Sequence, residues 1–342
     1  MDIKFKNFLE DNLSYSDIPE RKKILITGCS GFIGKYLVEA LSQLYPKKNN
    51  IIYGVDRMQG EGWGKLKNFK FFKKDLYNLK ITDIPRVKYD YIIHLAGIPS
   101  PVYYKKYPLR TIFLNSELTR LLLNYAKKIK SKFIFFSSSE IYGNPIKKFI
   151  PTNENYNGNV STVSSRSCYD ESKRMGETYT YVFNNFYKLN AKIIRPFNFY
   201  GQGMRKNDER VVPRFFYQLL NNKKITVYSN GKQTRTYCHI YDAIVMIIKI
   251  IFKGKNFIYN VGNPNEEVSA LNLGLKIIKI VKSSNKNIKK VKYPKNYPSD
   301  EPMRRCPSIK IFLSEFNFRP KISLASGLKL FYSYALSNFK KF

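Results

Sequence analysis

The chain has 342 residues, 43% of them hydrophobic and 25% charged, a composition that excludes a disordered protein and indicates one large globular domain or two closely joined ones. Its 60 Lys and Arg against 25 Asp and Glu give a formal net charge of +35, but the lysines are scattered singly or in pairs, unlike a dedicated nucleic-acid-binding arm. Four dispersed cysteines and two histidines indicate neither a disulfide framework nor a metal site, and they favour a reducing, cytoplasmic compartment.

Residues 1–22 form a predicted N-terminal extension. They lack an unbroken apolar core and contain several acidic residues, which is unlike a signal peptide. Their apolar side chains recur at helical spacing, which predicts a short amphipathic helix laid on the main body. The strongest apolar run of the chain, residues 243–252, contains Lys249 and is too short to span a bilayer, so it predicts a buried helix and no membrane partner.

Residues 23–195 alternate short apolar runs with longer segments of helical periodicity. The predicted strands are residues 24–26, 51–55, 91–95, 132–136 and 191–194, and the predicted helices are residues 33–45, 110–130 and 169–187. Strands that are apolar on both faces and separated by helices predict an α/β fold, a doubly wound parallel sheet of Rossmann type. Residues 196–342 are richer in Gly, Pro and Asn and predict mainly a smaller, mixed substrate-binding lobe, with residues 236–262 returning to the first domain.

A glycine-rich segment, residues 27–34, follows the first predicted strand in the pattern G-x-x-G-x-x-G. Glycines let backbone N–H groups approach a pyrophosphate at a helix N-terminus. The predicted cofactor contacts in this segment are Gly28, Ser30, Gly31, Phe32, Ile33 and Gly34. Asp56 ends the second strand, where its carboxylate would accept hydrogen bonds from the ribose hydroxyls and repel a 2′-phosphate, so the predicted cofactor is NAD.

Further positions at the ends of the predicted strands are expected to contact NAD. They are Arg57 beside Asp56, Asp75 and Leu76 after the third strand, and Leu95, Ala96 and Gly97 after the fourth. Small residues at the last three positions would let the cofactor pass closely. His94, just before them, is expected to be a packed, hydrogen-bonded residue rather than a catalyst.

Tyr169 and Lys173 stand at i and i+4 at the start of a predicted helix, so both side chains lie on one helix face. A lysine ammonium close to a phenol favours the phenolate, which can take a proton from a sugar hydroxyl near neutral pH. Ser138, at the end of the strand 132–136, brings a hydroxyl to the same edge of the sheet.

In these motifs the chain, from Lys22 to about Phe331, resembles an extended short-chain dehydrogenase/reductase of the nucleotide-sugar epimerase/dehydratase family. The resemblance implies that Ser138, Tyr169 and Lys173 are catalytic, that Tyr169 and Lys173 also contact NAD, and that the enzyme is a homodimer. Within the family the chain is most similar to UDP-glucuronate decarboxylases. The segments that carry this similarity are residues 95–101 with Tyr104, 166–174, 195–201, 210–212, 233–235 and 300–307.

The same segments supply the predicted contacts to a nucleotide-sugar substrate. They are Pro101, Tyr104, Ser139, Glu140, Asn198, Arg210, Val211, Arg235 and Arg305. Amide and guanidinium donors of Asn198, Arg210 and Arg235 suit a diphosphate. Arg305 is predicted to hold a sugar carboxylate or to steer a proton at the carbon that loses it, and Glu140 and Arg305 are predicted to act in catalysis.

These relatives all begin with oxidation at C4 of the sugar, and the next step distinguishes their reactions. A C6 carboxylate leaves as carbon dioxide from a 4-keto intermediate. A 4,6-dehydratase of the family uses an Asp-Glu pair where this chain has Ser139-Glu140, and a 4-epimerase needs room that Glu140 and Arg305 would restrict. The sequence therefore favours conversion of UDP-glucuronate to UDP-xylose. The alternatives are a 4-epimerase or 4,6-dehydratase and, more remotely, a non-catalytic basic Rossmann protein that binds nucleic acid.

Overall fold

A computed structural model describes residues 2–60, 63–282, 288–293 and 302–340 of the chain. Its helices are α1 (Ile3–Glu10), α2 (Phe32–Gln43), α3 (Pro101–Lys106), α4 (Pro108–Asn115), α5 (Glu117–Ile129), α6 (Ser167–Asn185), α7 (Val211–Leu220), α8 (Ile240–Lys253), α9 (Ala270–Val281), α10 (Lys310–Glu315) and α11 (Leu324–Phe339). Its strands are β1 (Lys23–Thr27), β2 (Ile51–Asp56), β3 (Phe69–Lys73), β4 (Tyr91–His94), β5 (Lys132–Phe136), β6 (Ala191–Pro196), β7 (Phe199–Tyr200), β8 (Ile225–Tyr228), β9 (Thr234–Arg235), β10 (Cys238–His239), β11 (Ile258–Val261), β12 (Val268–Ser269), β13 (Ile288–Val291) and β14 (Arg304–Arg305).

A seven-stranded sheet in the order β11-β6-β5-β4-β1-β2-β3 forms the centre of the fold, and every neighbouring pair in it is parallel. Strands β1, β4 and β5 are almost wholly buried, as expected for a sheet covered by helices on both faces. The predicted doubly wound parallel sheet is therefore confirmed. The strand order reverses at β1, so the loops that follow β1 and β4 open a crevice at the carboxyl edge.

The sheet is buried between two apolar layers. Helix α8 belongs to one layer and is buried along most of its length, as predicted for the apolar run at 243–252. Among the described residues, no helix combines the length and apolar character needed to cross a membrane. Helix α1 lies within the predicted N-terminal extension and packs on the same layer through Phe5 and Leu9, which are fully buried.

A smaller apolar cluster lies beyond the sheet, where helices α7, α9 and α11 pack around strand β8. A short three-stranded sheet in the order β12-β9-β14 lies nearby, and its parallel pair β9–β14 aligns Arg305 with Arg235. The mixed character predicted for this part of the chain is thus observed. The division at residue 196 stays a prediction. Strand β11, which follows α8, pairs with β6 of the main sheet. Asp300 and Glu301 lie outside the described residues.

The single helix predicted over residues 110–130 is wrong. The chain forms α4 and α5 instead, and Ser116 between them departs from helical geometry at φ −115° and ψ −69°. The break lies where the helix crosses α6 closely: a Cβ on Gly176 would lie 2.5 Å from the Asn115 carbonyl oxygen. The side-chain amide of Asn115 donates to the Ser172 hydroxyl at 3.0 Å, which ties the break to the helix that carries Tyr169.

Candidate active site

The glycine-rich turn after β1 is shaped by contacts that only glycine permits. Gly28 has φ +71°, and a Cβ there would lie 2.6 Å from the backbone nitrogen of Ala96. A Cβ on Gly34 would lie 2.5 Å from the Gly28 carbonyl oxygen. Gly31 is the N-cap of α2, so the free amides at the start of that helix, including those of Phe32 and Ile33, face the crevice. A pyrophosphate fits this backbone cradle.

Asp56 closes the cradle at the end of β2. Its carboxylate accepts hydrogen bonds from the backbone nitrogens of Ser30 at 3.0 Å and Arg57 at 2.7 Å. Burial raises the pKa of Asp56, and these backbone hydrogen bonds oppose the rise. The Ser30 hydroxyl donates to the carbonyl of Met58. The residues present therefore fit a dinucleotide whose ribose hydroxyls are recognised by a carboxylate.

The other predicted cofactor positions lie along the same edge of the sheet, but one of them, Asp75, already has a protein partner. Asp75 follows β3 by two residues and pairs with Arg110, so part of its carboxylate is already occupied. Leu76 is buried, and Leu95 and Ala96 follow β4 directly. A Cβ on Gly97 would lie 3.0 Å from the side-chain oxygen of Asn115, so a larger residue would crowd the site.

His94 contributes to the structure rather than to the chemistry, as predicted. Its Nδ1 lies 2.7 Å from the Thr27 hydroxyl and its Nε2 lies 3.0 Å from the Leu114 carbonyl oxygen. Burial lowers the pKa of His94 to about 3, and the nearby Lys173 adds to the effect. The ring is therefore neutral at physiological pH and links β1 to β4 and α4.

Tyr169 and Lys173 are both buried at the start of α6. The Lys173 ammonium donates to the carbonyl oxygen of Phe136, the last residue of β5, at 2.7 Å. The Tyr169 ring stacks on Tyr104 with centroids 5.2 Å apart, and the Ser138 hydroxyl acts to lower the pKa of the Tyr169 phenol. The structure thus brings Ser138, Tyr169 and Lys173 together at the edge of the sheet where the cradle opens.

The pKa values of the pair follow from burial. Burial raises the pKa of Tyr169 to about 12, while the hydrogen bond from Ser138 opposes the rise. Burial lowers the pKa of Lys173 to about 7. Nζ of Lys173 lies 6.0 Å from the Tyr169 ring centroid, and desolvation is the largest influence on the pKa of both groups. That the Lys173 charge favours the phenolate stays a prediction.

Glu140 lies between two arginines. Arg305 binds its carboxylate in bidentate fashion, with nitrogen–oxygen distances of 2.6 and 2.7 Å. Arg166 pairs with the same carboxylate and reaches Asp170 through Nε at 3.3 Å. Both arginine side chains are only 4% exposed, whereas that of Glu140 is 22% exposed. The two positive and two negative charges therefore balance in a cluster that is largely shielded from solvent. Its member Glu140 follows Ser138 by two residues in the chain.

A cavity of about 1020 Å³ opens beside this cluster. Its walls carry seven basic side chains and two carboxylates, so it is strongly positive. The predicted substrate residues that line it are Pro101, Tyr104, Glu140, Asn198, Arg210, Val211, Arg235 and Arg305. Ser139 is the exception, because it is buried and does not line the cavity, so its predicted substrate contact lacks support.

The diphosphate contacts predicted for the cavity are held in place by protein partners. The side-chain amide of Asn198 donates to the Thr236 carbonyl at 2.9 Å. Arg210 is paired through several hydrogen bonds with Asp208 and stands immediately before α7. These contacts orient the donors toward the cavity before any ligand arrives.

Two arginines of the site were missing from the predicted residues. Arg166 lies in one of the segments that carry the family resemblance, but nothing local shows that it meets Glu140, which is 26 residues away. Arg214 lines the cavity from α7, and its position in an apolar helical run resembles that of a surface residue. Only the packed structure shows that both are buried.

The parallel sheet and the glycine cradle with Asp56 are typical of enzymes that bind a dinucleotide, and Ser138 lies with the buried Tyr169 and Lys173 where that cradle opens. The chain belongs to the NAD-dependent epimerase/dehydratase family, whose model matches residues 24–262. It is an NAD-dependent enzyme, which confirms the predicted cofactor.

Sequence and structure comparisons give relatives with different activities on nucleotide sugars. The chain is 33% identical to UDP-glucuronic acid decarboxylase 6 of Arabidopsis thaliana over 308 residues, covering 90% of this chain and 87% of the relative. It superposes on UDP-glucuronic acid 4-epimerase from Bacillus cereus, solved with UDP-glucuronic acid and NAD, with a TM-score of 0.74 and 27% identity, covering 91% and 98%. A dTDP-glucose 4,6-dehydratase from Bacillus anthracis shares the fold, with a TM-score of 0.79 and 23% identity over 93% and 97%.

Proposed function

We propose that the protein is a UDP-glucuronate decarboxylase that forms UDP-xylose. The observation that carries the proposal is Arg305, a buried guanidinium at the cavity wall that already binds a carboxylate, that of Glu140, through two hydrogen bonds. A sugar carboxylate offers the same bidentate geometry. The excess of basic side chains in the cavity suits a substrate with a diphosphate and a carboxylate, and the decarboxylase relatives support the same substrate.

The first step is oxidation at C4 of the sugar. NAD, when bound, supplies the hydride acceptor and later returns the hydride. Burial keeps the Tyr169 phenol protonated, so it first gives its own proton to Lys173, whose amine is partly neutral at pH 7. The Tyr169 phenolate then takes the proton of the C4 hydroxyl, and Ser138 beside it holds the reacting oxygen in line. Lys173, with a pKa of about 7, can hold or release a proton at neutral pH beside them.

The second step is loss of the C6 carboxylate from the 4-keto sugar. The electrons of the C5–C6 bond move into the C4 carbonyl as carbon dioxide leaves, and Tyr169 returns its proton to the C4 oxygen. A proton then adds at C5 while the enol proton goes back to Tyr169, which re-forms the C4 ketone before the hydride returns. Arg305 orients the carboxylate until it leaves. Glu140, at hydrogen-bond distance from Arg305, is placed to handle the proton at C5.

A 4-epimerase of UDP-glucuronate is the second candidate, because the Bacillus cereus neighbour binds the same nucleotide sugar. Both reactions share the first step, so only the products separate them. The purified protein with NAD and UDP-glucuronate is expected to release carbon dioxide and a UDP-pentose in equal amounts. Formation of the C4 epimer without carbon dioxide would favour the epimerase, and turnover of UDP- or dTDP-hexoses alone would refute the decarboxylase.

We further propose a cytoplasmic homodimer that binds neither nucleic acid nor membrane. All four cysteines are free, which suits a reducing compartment. Helices α4 and α6 leave Leu109, Met175 and Tyr181 largely exposed, a surface that a second copy of the chain would bury. Light scattering after size exclusion measures the mass directly, and oligonucleotide binding that weakens with salt would contradict the absence of a nucleic-acid partner.

A further inference from the structure

Arg214 is a cavity residue that the proposed reaction does not use. It lies on α7, one helical turn after Arg210, and it lines the same cavity as Arg305. Its side chain lies over the Tyr228 ring of β8, with the guanidinium carbon 4.3 Å from the ring centroid, and 5.5 Å from the Phe215 centroid. The residue is 9% exposed, so the charge is held in a mostly aromatic pocket.

The protein provides few hydrogen-bond acceptors for this buried guanidinium. Nη2 donates to the Thr226 carbonyl at 3.3 Å, a long hydrogen bond, and Nε is buried without a hydrogen-bond partner. Within the described part of the chain no carboxylate pairs with Arg214. A buried charge that lacks a partner destabilises the folded chain, so a partner from outside the protein accounts for its retention.

We propose that Arg214 recognises the nucleotide base, donating hydrogen bonds to the C4 carbonyl of uracil. The inference rests on the proposed function for the identity of the nucleotide. Two observations favour a base over a phosphate: the guanidinium lies over an aromatic ring, and Phe215 and Val227 complete an apolar wall around it. A planar heterocycle stacks on such walls, and its carbonyl oxygens lie at the edge, within reach of planar N–H donors.

Cytosine is the informative comparison, because it presents an amino group where uracil presents the C4 carbonyl. Donors of Arg214 would then face a donor, and the buried guanidinium would stay unsatisfied. A site built to hydrogen-bond one group rejects the analogue that lacks it more strongly than a purely apolar site does. The NAD-loaded protein is therefore expected to bind UDP at least about tenfold more tightly than CDP.

The test measures UDP and CDP binding by calorimetry for the NAD-loaded protein and two variants. Arg214→Met keeps the length of the side chain but removes its donors, and it is expected to weaken UDP binding about tenfold while leaving CDP binding unchanged. Arg210→Gln is the matched control, since loss of a phosphate contact weakens both nucleotides alike. Equal losses for UDP and CDP in Arg214→Met would overturn the proposal, as would no loss at all.

Folding of the variant is checked separately. Removal of a poorly compensated buried charge is expected to leave the melting temperature unchanged or higher, and Arg214→Lys, which keeps the charge without the planar donors, serves if the methionine variant fails to fold. The lysine variant is expected to lose selectivity for UDP, and retention of full selectivity would refute the role. Neither measurement involves the sugar, so a failure of the decarboxylation assay would leave this result intact.

Discussion

Replacing Glu140 by glutamine tests whether the cluster at the cavity wall works by charge compensation. The parent cluster balances Arg166 and Arg305 against Glu140 and Asp170. Glutamine has nearly the same size and keeps one acceptor oxygen, but it leaves an unbalanced positive charge on arginines whose side chains are 4% exposed. The variant should therefore be less stable without ligand, and a ligand carboxylate should restore the lost stability.

The magnitude is set by burial. Removing one partner of an ion pair lowers the free energy of unfolding by about 3–5 kcal/mol when both groups are fully buried. The Glu140 side chain is 22% exposed and glutamine still accepts one hydrogen bond, so we expect a loss of about 2 kcal/mol in the free energy of unfolding. For a chain of this size that loss lowers the melting temperature by roughly 3 °C.

The assay is thermal unfolding of the NAD-loaded protein with saturating UDP-glucuronate or UDP-glucose. UDP-glucuronate should raise the melting temperature of Glu140→Gln more than UDP-glucose does, because its carboxylate replaces the missing charge at Arg305. Glu209→Gln, which changes the other carboxylate of the cavity wall, is the control and should melt within about 1 °C of the parent. Equal effects of the two nucleotide sugars on Glu140→Gln would refute the reasoning.

Three further predictions concern the cofactor and proton-transfer groups. Tyr169→Phe should lower kcat by about 10²–10⁴ while NAD stays bound, measured by carbon dioxide release and cofactor absorbance. Burial lowers the pKa of Lys173 to about 7, below the usual unfolded value near 10.4, so Lys173→Met should stabilise the ligand-free chain at pH 7. That advantage in urea unfolding should shrink as pH rises toward 10, and a constant difference would contradict it. Gly28→Ala should abolish NAD binding, because its Cβ would lie 2.6 Å from the Ala96 nitrogen, whereas Gly64→Ala, with no atom within 4 Å, should be neutral.

The sheet and the cofactor cradle could be predicted because their determinants are local. Apolar runs that alternate with helical segments specify a covered parallel sheet, and the glycines after β1 act on their own turn and on the strand next to it. The break at Ser116 could not be predicted in this way. Its cause is a close crossing with α6, set by Gly176 about sixty residues later in the chain.

The ion pairs and pKa shifts of the site could not be predicted from the sequence either. Glu140 and Arg305 could each be assigned to the substrate, yet their mutual bidentate pairing joins residues 165 positions apart. The burial of Lys173 and Tyr169, which sets the direction of both pKa shifts, depends on how tightly α6 packs on β5. Such effects come from desolvation, which a linear pattern of residue types does not report.

The alignment of Arg305 with Arg235 on β14 and β9 bears on attempts to redesign this enzyme. Side chains alternate between the faces of a strand, so a shift of one residue in β14 would place Arg304 opposite Arg235 and turn Arg305 to the other face. Loop grafts from related enzymes upstream of β14 must therefore preserve register and not merely sequence. A single inserted residue before Arg304 would place Arg304, which now pairs with Glu267, where Arg305 lines the cavity. Substrate choice would then change although neither arginine had been substituted.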